Sequence, residues 1–223
     1  MMNDRRAALA ATCSPPRLPS AYREVEWIGV DGTQWIVSNY APTGAYPSKI
    51  ECRICAEDAY LRVFGARNSA SSALGTIGFW AYNTSAYNTF AFGYYQSSST
   101  GHSTTFGTPG PDWHTVVLEH TSNSVYTATV DEILQYSCSV QSPRSLQTPL
   151  GIFAVNYDGA SPYSISSGGK IAALRFWENG GDPVHDYVPC ERISDGEIGL
   201  YDLATDVFLT NCGTGTFRKG GNV

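Results

Sequence analysis

The 223 residues (24.1 kDa) carry only 15% charged side chains, well below the usual share of about 25%, while Gly (22), Tyr (14) and Phe (9) are plentiful. That profile suits many short strands joined by turns and argues against a helical bundle or a disordered chain. A net charge of −6 without any basic stripe excludes a general nucleic-acid binder, and no apolar run of about 18 residues exists to span a membrane as a helix. A chain of this length buries roughly 70% of its unfolded surface, so it needs no metal or disulfide staple.

Residues 1 to 17 differ from the rest. "NDRRAALAAT" (3–12) suits a short helix capped by Asn3 or Asp4 and stopped by Pro15 and Pro16, yet about nine residues do not hold a helix alone in water. The segment reads either as a frayed tail or as an anchor that orders against a partner or a neighbouring copy. It lacks the long apolar core of a signal peptide, so synthesis in the cytoplasm is expected. Six cysteines (Cys13, Cys52, Cys55, Cys138, Cys190 and Cys212) are an even number that need not pair in a reducing compartment.

From Leu18 onward strand signals dominate, which sets a tail at 1–17 and one β-domain at 18–223. "EVEWIGV" (24–30) and "TQWIVS" (33–38) flank Asp31-Gly32, a strong hairpin signal. "SKIECRICAE" (48–57) alternates Ile50, Cys52 and Ile54 against Lys49, Glu51 and Arg53, one buried face and one wet face. Strands are expected at 59–67, 76–83, 88–96, 114–121, 124–132, 133–140, 149–157 and 169–180, with Asp158-Gly159 as a break. "EIGLYDL" and "VFLTNCG" read as a closing hairpin around Ala204-Thr205-Asp206. Leu200 and Phe208 are expected inward, Asp202 and Asp206 toward water or the turn, and "GTGTF" lets Phe217 tuck back. More than ten short strands with polar turns point to an all-β, two-sheet antiparallel sandwich.

"LPSAYREVEWIGVDGTQWIVS" (18–38) resembles the opening of concanavalin A-like, laminin-G-like jelly-roll domains of phage structural proteins and gut-bacterial surface proteins. Tyr22, Glu26, Ile28, Gly32, Thr33 and Gln34 match that pattern, with Trp27 and Trp35 where tyrosine is more usual. "FGAR" (64–67), "WHTVVL" (113–118), "GIFAVNYDG" (151–159), "KIAALRFWENG" (170–180) and residues 186–217 extend the resemblance, and 68–112 match least. The chain departs at Val37-Ser38-Asn39, where the family often has Asp-Thr-Gly. It departs again at Thr205-Asp206, where the family's hairpin often turns on Asn-Gly; a different turn type is expected there. The resemblance implies a jelly-roll sandwich. Tails with paired arginines and alanines precede this domain in some phage sequences, which implies a virion-associated protein.

Related jelly rolls include glycoside hydrolases, whose chemistry needs two carboxylates roughly 5 to 9.5 Å apart. No Glu-x-Asp-x-Glu strand pattern occurs; Glu24 and Glu26 lie in the opening strand, and adjacent Asp131 and Glu132 face opposite ways. His102, His114, His120 and His185 are scattered without a Gly-x-Ser-x-Gly elbow, and His114 reads as structural. Cys52-x-x-Cys55 has no second pair at zinc spacing and its thiols face opposite sides of a strand. Laminin-G-like domains sometimes hold calcium; Asp158, Asp182 and Asp195 sit in Gly-rich turns that turn chemistry alone explains.

"GFWAYNTSAYNTFAFGYYQ" (78–96) concentrates aromatic and amide side chains, so Trp80, Tyr82, Asn83, Tyr87, Tyr94 and Tyr95 are the candidate sugar-contacting residues, with half of the aromatics equally able to serve the core. The expectation is a non-enzymatic jelly roll on a virion, as capsid decoration, head fibre or tail component, displaying a glycan- or host-surface-binding face and assembled with other virion proteins or copies of itself. The alternatives are a bacterial surface carbohydrate-binding or adhesion module and, with least support, a glycoside hydrolase.

Overall fold

The computed structural model describes residues 17–42, 47–68, 76–95, 101–122, 125–139, 146–157 and 162–223. The helix expected at 3–12 and the break at Asp158-Gly159 lie outside them. Three short strands come first: β1 (Tyr22–Glu24), β2 (Ile28–Val30) and β3 (Ile36–Val37). Longer ones follow: β4 (Lys49–Cys55), β5 (Tyr60–Arg67), β6 (Thr76–Asn83), β7 (Asn88–Tyr95) and β8 (Gly101–Phe106). Next are β9 (Trp113–Ser122), β10 (Val125–Val130), β11 (Ile133–Ser139), β12 (Gly151–Ile152), β13 (Ala154–Asn156) and β14 (Pro162–Ile165). The chain closes with β15 (Gly169–Trp177), β16 (His185–Arg192), β17 (Ile198–Asp202), β18 (Val207–Leu209) and β19 (Arg218–Lys219). No helix occurs among the described residues.

The strands form two sheets. The larger runs β11-β10-β9-β4-β15-β16-β17-β18, with β1 on β16 and β2 between β15 and β19. The smaller runs β14-β13-β5-β6-β7-β8, with β12 joining β5 to β3. Among the described residues pairing is antiparallel apart from one parallel contact, Asn156 with Ala66. This is the two-sheet sandwich that the sequence pattern predicts, in the jelly-roll form that the resemblance implies.

Alternation dictates the interior. Ile50, Cys52 and Ile54 of β4, Val116 and Leu118 of β9, and Ile171, Leu174 and Phe176 of β15 are buried toward Leu61, Phe64, Ile77, Phe79 and Phe90 of the smaller sheet. Phe64 meets Phe176 edge-on across the two layers at 5.3 Å, and Phe92 meets Tyr126 at 5.1 Å. Each fully buried phenylalanine contributes roughly 2–3 kcal/mol of apolar burial. Phe217 does tuck back, buried against Phe153 at 5.9 Å.

Four local expectations are corrected. No hairpin forms across Asp31-Gly32, because β2 joins the larger sheet and β3 the smaller. Gly32 takes the turn (φ 115°) and Gln34 accepts from the Asp31 amide at 3.0 Å, but Ile28 and Val30 are buried in the larger sheet and Ile36 in the smaller, so partner choice overrides turn chemistry. The single strand at 149–157 splits at Phe153, whose φ of 63° turns the chain between β12 and β13. Asp131 and Glu132 are a hairpin turn (φ 49° and 68°) rather than strand residues. Within the closing hairpin, which stands with Asp206 itself at φ 59°, Leu200 is inward but Phe208 packs on the outer face against Tyr22 at 5.0 Å.

Asp202, expected at the surface, is fully buried. Its Oδ2 pairs with His185 Nδ1 at 2.6 Å and accepts from Thr205 Oγ1 at 2.6 Å and Asn39 Nδ2 at 3.0 Å. Its Oδ1 accepts from the Asp186 amide at 2.9 Å and the Ala204 amide at 3.2 Å. Asn39 in turn accepts from Tyr187, and His185 stacks on Tyr187 and meets Tyr40 at a tilt. Burial pushes the carboxyl pKa up, but the donors of His185, Thr205, Asn39 and Asp186 outweigh it and hold the pKa well below the carboxylate range. A depressed folded pKa contributes stability that is complete above the unfolded value of about 4 and declines as pH falls below it. Urea titrations at pH 7 and pH 3 should show Asp202→Asn destabilised by about 2–4 kcal/mol at pH 7 and less sensitive to acid than the native chain.

Candidate functional site

The outward positions of β4, β9 and β15 lie side by side on the larger sheet. In register they form three rows: Arg175–Glu51–Val117, Ala173–Arg53–Thr115 and Lys170–Cys55–Trp113. The β15–β4 ladder slips between Ile171 and Ala173, so that strand carries a surplus residue. Ile171 and Leu174 stay buried while Ala172 and Ala173 both reach the outer surface. Two methyl groups where longer side chains flank them leave a groove of about 620 Å³, lined by these alanines with Glu26, Trp27, Glu51, Arg53, Trp113, Thr115 and Arg175.

Each tryptophan of this face carries a cation. Lys170 Nζ lies 4.6 Å from the Trp27 ring, the Arg53 guanidinium 5.8 Å from Trp113, and Lys49 Nζ 4.7 Å from Trp177. Trp27 is seated by glycine: a Cβ on Gly220 would stand 2.6 Å from its Nε1 and one on Gly29 3.3 Å from its ring. Both groove tryptophans are partly exposed, which leaves aromatic surface available to a ligand.

Most charges here are already matched. Arg175 donates from Nε to Asp186 Oδ1 at 2.9 Å and from Nη1 to Glu51 Oε1 at 3.0 Å. Burial lowers the Arg175 pKa, but the two carboxylates more than restore it and the net shift is upward. Lys49 adds a second cation to Glu51 at 3.4 Å. At the edge of the groove Lys170 (2.8 Å) and Arg218 (2.7 Å) share Glu57, whose pKa the Arg218 hydrogen bond, joined by Lys170 and opposed by burial, lowers to about 2. Glu26 Oε2 accepts from the Gly221 amide at 3.1 Å.

The aromatic segment at 78–96 lies on the other sheet. Trp80 and Tyr82 are outward on β6, and the Trp80 indole lies over Gly78, whose Cβ would approach it to 2.6 Å. Tyr82 hydrogen-bonds Tyr60 through the two hydroxyls at 2.8 Å, and its ring lies 6.2 Å from that of Tyr87, which is 66% exposed. The Arg62 guanidinium stands 4.0 Å over Tyr60 and donates to the Ile165 carbonyl at 2.6 Å. Asn83 is committed internally, since its amide donates to the Glu57 carbonyl. Tyr94 and Tyr95 pair in backbone register with Ile77 and Thr76, while their side chains lie outside the described set. Trp80, Tyr82 and Tyr87 are therefore brought onto one surface, without Asn83.

Other candidates resolve into structural roles. His114 bonds the Asp131 carboxylate at 2.7 Å and the Pro109 carbonyl at 2.5 Å. Cys52 is buried inward, and Cys55, on the opposite face, donates to the Pro111 carbonyl at 3.0 Å; burial raises the Cys52 thiol pKa far above its ordinary value. Asp195 is engaged by Arg192 at 2.6 Å. Among the described residues no three His, Cys, Asp or Glu side chains gather as a metal site.

No family profile and no curated protein matches the chain. Solved structures do. The CBM40 of Ruminococcus gnavus IT-sialidase, determined with bound α2,3-sialyllactose and without it, superposes at a TM-score of 0.52 with 11% identity, covering 75% of this chain and 95% of that one. A Bacteroides ovatus protein for which carbohydrate binding has been proposed superposes at 0.53 with 11% identity, covering 90% of this chain and 62% of that one. At such identity the likeness is one of fold: this chain has a concanavalin A-like jelly-roll fold.

The groove's ion network generates a stability prediction. Arg175→Met strips both carboxylates of their shared guanidinium, and urea denaturation should register a loss of about 1–2 kcal/mol. An unchanged midpoint would show that water replaces the guanidinium without cost.

Proposed function

We propose that the protein is a non-catalytic carbohydrate-binding module and that the groove between Trp27 and Trp113 holds the saccharide. The observation that carries this reading is the bulge in β15. It opens a trough on a sheet face that has no packing duty, and two tryptophans frame that trough. Indole faces suit the C–H faces of pyranose rings, and the hydroxyls around a ring need the donors and acceptors that Thr115, Glu51 and Arg53 offer. The likeness in fold to CBM40 supports the same reading.

A hydrolase is the weaker reading. Glycosidic cleavage needs one carboxyl free to protonate a leaving oxygen beside a second, ionised one. Of the two groove carboxylates, Glu51 is bound by Arg175 and Lys49, and Glu26 accepts a backbone amide. Both are committed as acceptors. Placement on a virion, made in the host cytoplasm and assembled with other virion proteins or further copies, rests on the sequence resemblance and is a separate proposal.

Glycan-array screening followed by calorimetry on the bound glycan tests the site. Trp27→Ala and Trp113→Ala should each weaken binding by about tenfold or more, the loss of one interfacial aromatic anchor, whereas Trp80→Ala on the smaller sheet should leave it unchanged. An array without any bound glycan, or binding that fails only in Trp80→Ala, would overturn the assignment.

A further inference from the structure

Resting on the glycan-binding reading of the groove, we infer that the recognised sugar carries a carboxylate and that Arg53 receives it. Most cations on this sheet face already have an anionic partner. Lys49 faces Glu51 at 3.4 Å, Lys170 faces Glu57 at 2.8 Å, and Arg175 is clamped by Glu51 and Asp186 at 3.0 and 2.9 Å. Beyond the groove, Arg218 shares Glu57 and Lys219 pairs with Glu191 at 2.6 Å. Arg53 differs. Among the described residues its guanidinium makes no hydrogen bond and no ion pair, and its recorded neighbour is the Trp113 ring at 5.8 Å.

Its position gives that unmatched charge a direction. Arg53 stands in the middle row of the groove, with Ala173 on one side and Thr115 on the other. Both are short, so the guanidinium overlooks the trough instead of being enclosed by neighbours. A planar fork of N–H donors backed by an indole face matches a carboxylate bidentately, in a geometry that a lysine ammonium does not reproduce. The protein's own groove carboxylates do not fill this role, because Glu51 already serves two cations and Glu26 serves the Gly221 amide. A neutral sugar offers Arg53 only uncharged hydroxyl oxygens; the carboxylate of a nonulosonic or uronic acid also matches its charge.

Two matched pairs of probes separate carboxylate recognition from sugar recognition in general: 3′-sialyllactose against its methyl ester, and tetragalacturonate against its methyl ester. Calorimetry should give the acidic member of at least one pair an affinity about tenfold or more above its neutral partner, and the pair that responds identifies the source of the carboxylate. Arg53→Gln should erase that preference, and Arg53→Lys should restore only part of it. Arg53 is exposed, so both variants should keep the native melting temperature. Equal binding of acidic and neutral members, with Trp27 and Trp113 still required, overturns this inference and leaves the glycan groove standing. An acidic preference that survives in Arg53→Gln also overturns it. No binding of any of the four probes at millimolar concentration, together with an empty glycan array, sinks both readings.

Discussion

Two-residue periodicity is the constraint from which this molecule follows. The strands of a sandwich direct alternate side chains into one shared interior, and the remaining half face outward. Strand β4 shows the division most plainly: Ile50, Cys52 and Ile54 are all but inaccessible, while Lys49, Glu51 and Arg53 line the outer surface. Because β9 and β15 obey the same rule in register, three distant chain segments bring their outward residues together. The groove is thus a by-product of how the core is built.

The corner around Asp202 shows a different balance. Burying a carboxylate is costly unless its oxygens are fully satisfied, and here five donors meet it, from Asn39, His185, Thr205 and two backbone amides. Those donors span the loop after β3, the start of β16 and the β17–β18 turn, so one side chain ties a loop outside the ladder to the paired strands β16, β17 and β18. Apolar packing gives the sandwich its bulk, and this polar knot fixes how its last hairpin meets the rest.

Much of the fold is legible in the linear sequence because alternation is a local signal. The strands at 49–55, 60–67, 76–83 and 88–95 follow directly from it. What escapes has identifiable causes. "GHSTTF" becomes β8 without any apolar alternation, since Ser and Thr leave no contrast to detect. Asp31-Gly32 makes its turn, but which sheet receives Ile36 depends on burial far along the chain. Asp202 looks like a surface turn residue until its partners from 163 and 17 residues away are in place. The groove is hidden for the same reason: Trp27, Arg53, Trp113 and Ala173 are ordinary in isolation, and only strand register makes them neighbours. A visible hint is the outward charge of "KIECRIC", which places Arg53 on a wet face. The aromatic richness of 78–96 is genuine, yet it is divided between the interior, through Phe79, Phe90 and Phe92, and the outer surface of the smaller sheet.

The surplus residue in β15 reaches beyond geometry. Since Ala172 and Ala173 sit where no interior contact depends on them, bulkier or more polar replacements there would reshape the trough while the greasy layer beneath stays untouched. On the proposed reading, selectivity and foldedness are in that sense separable: exchanging a few rim residues would change the guest while the same scaffold persists underneath.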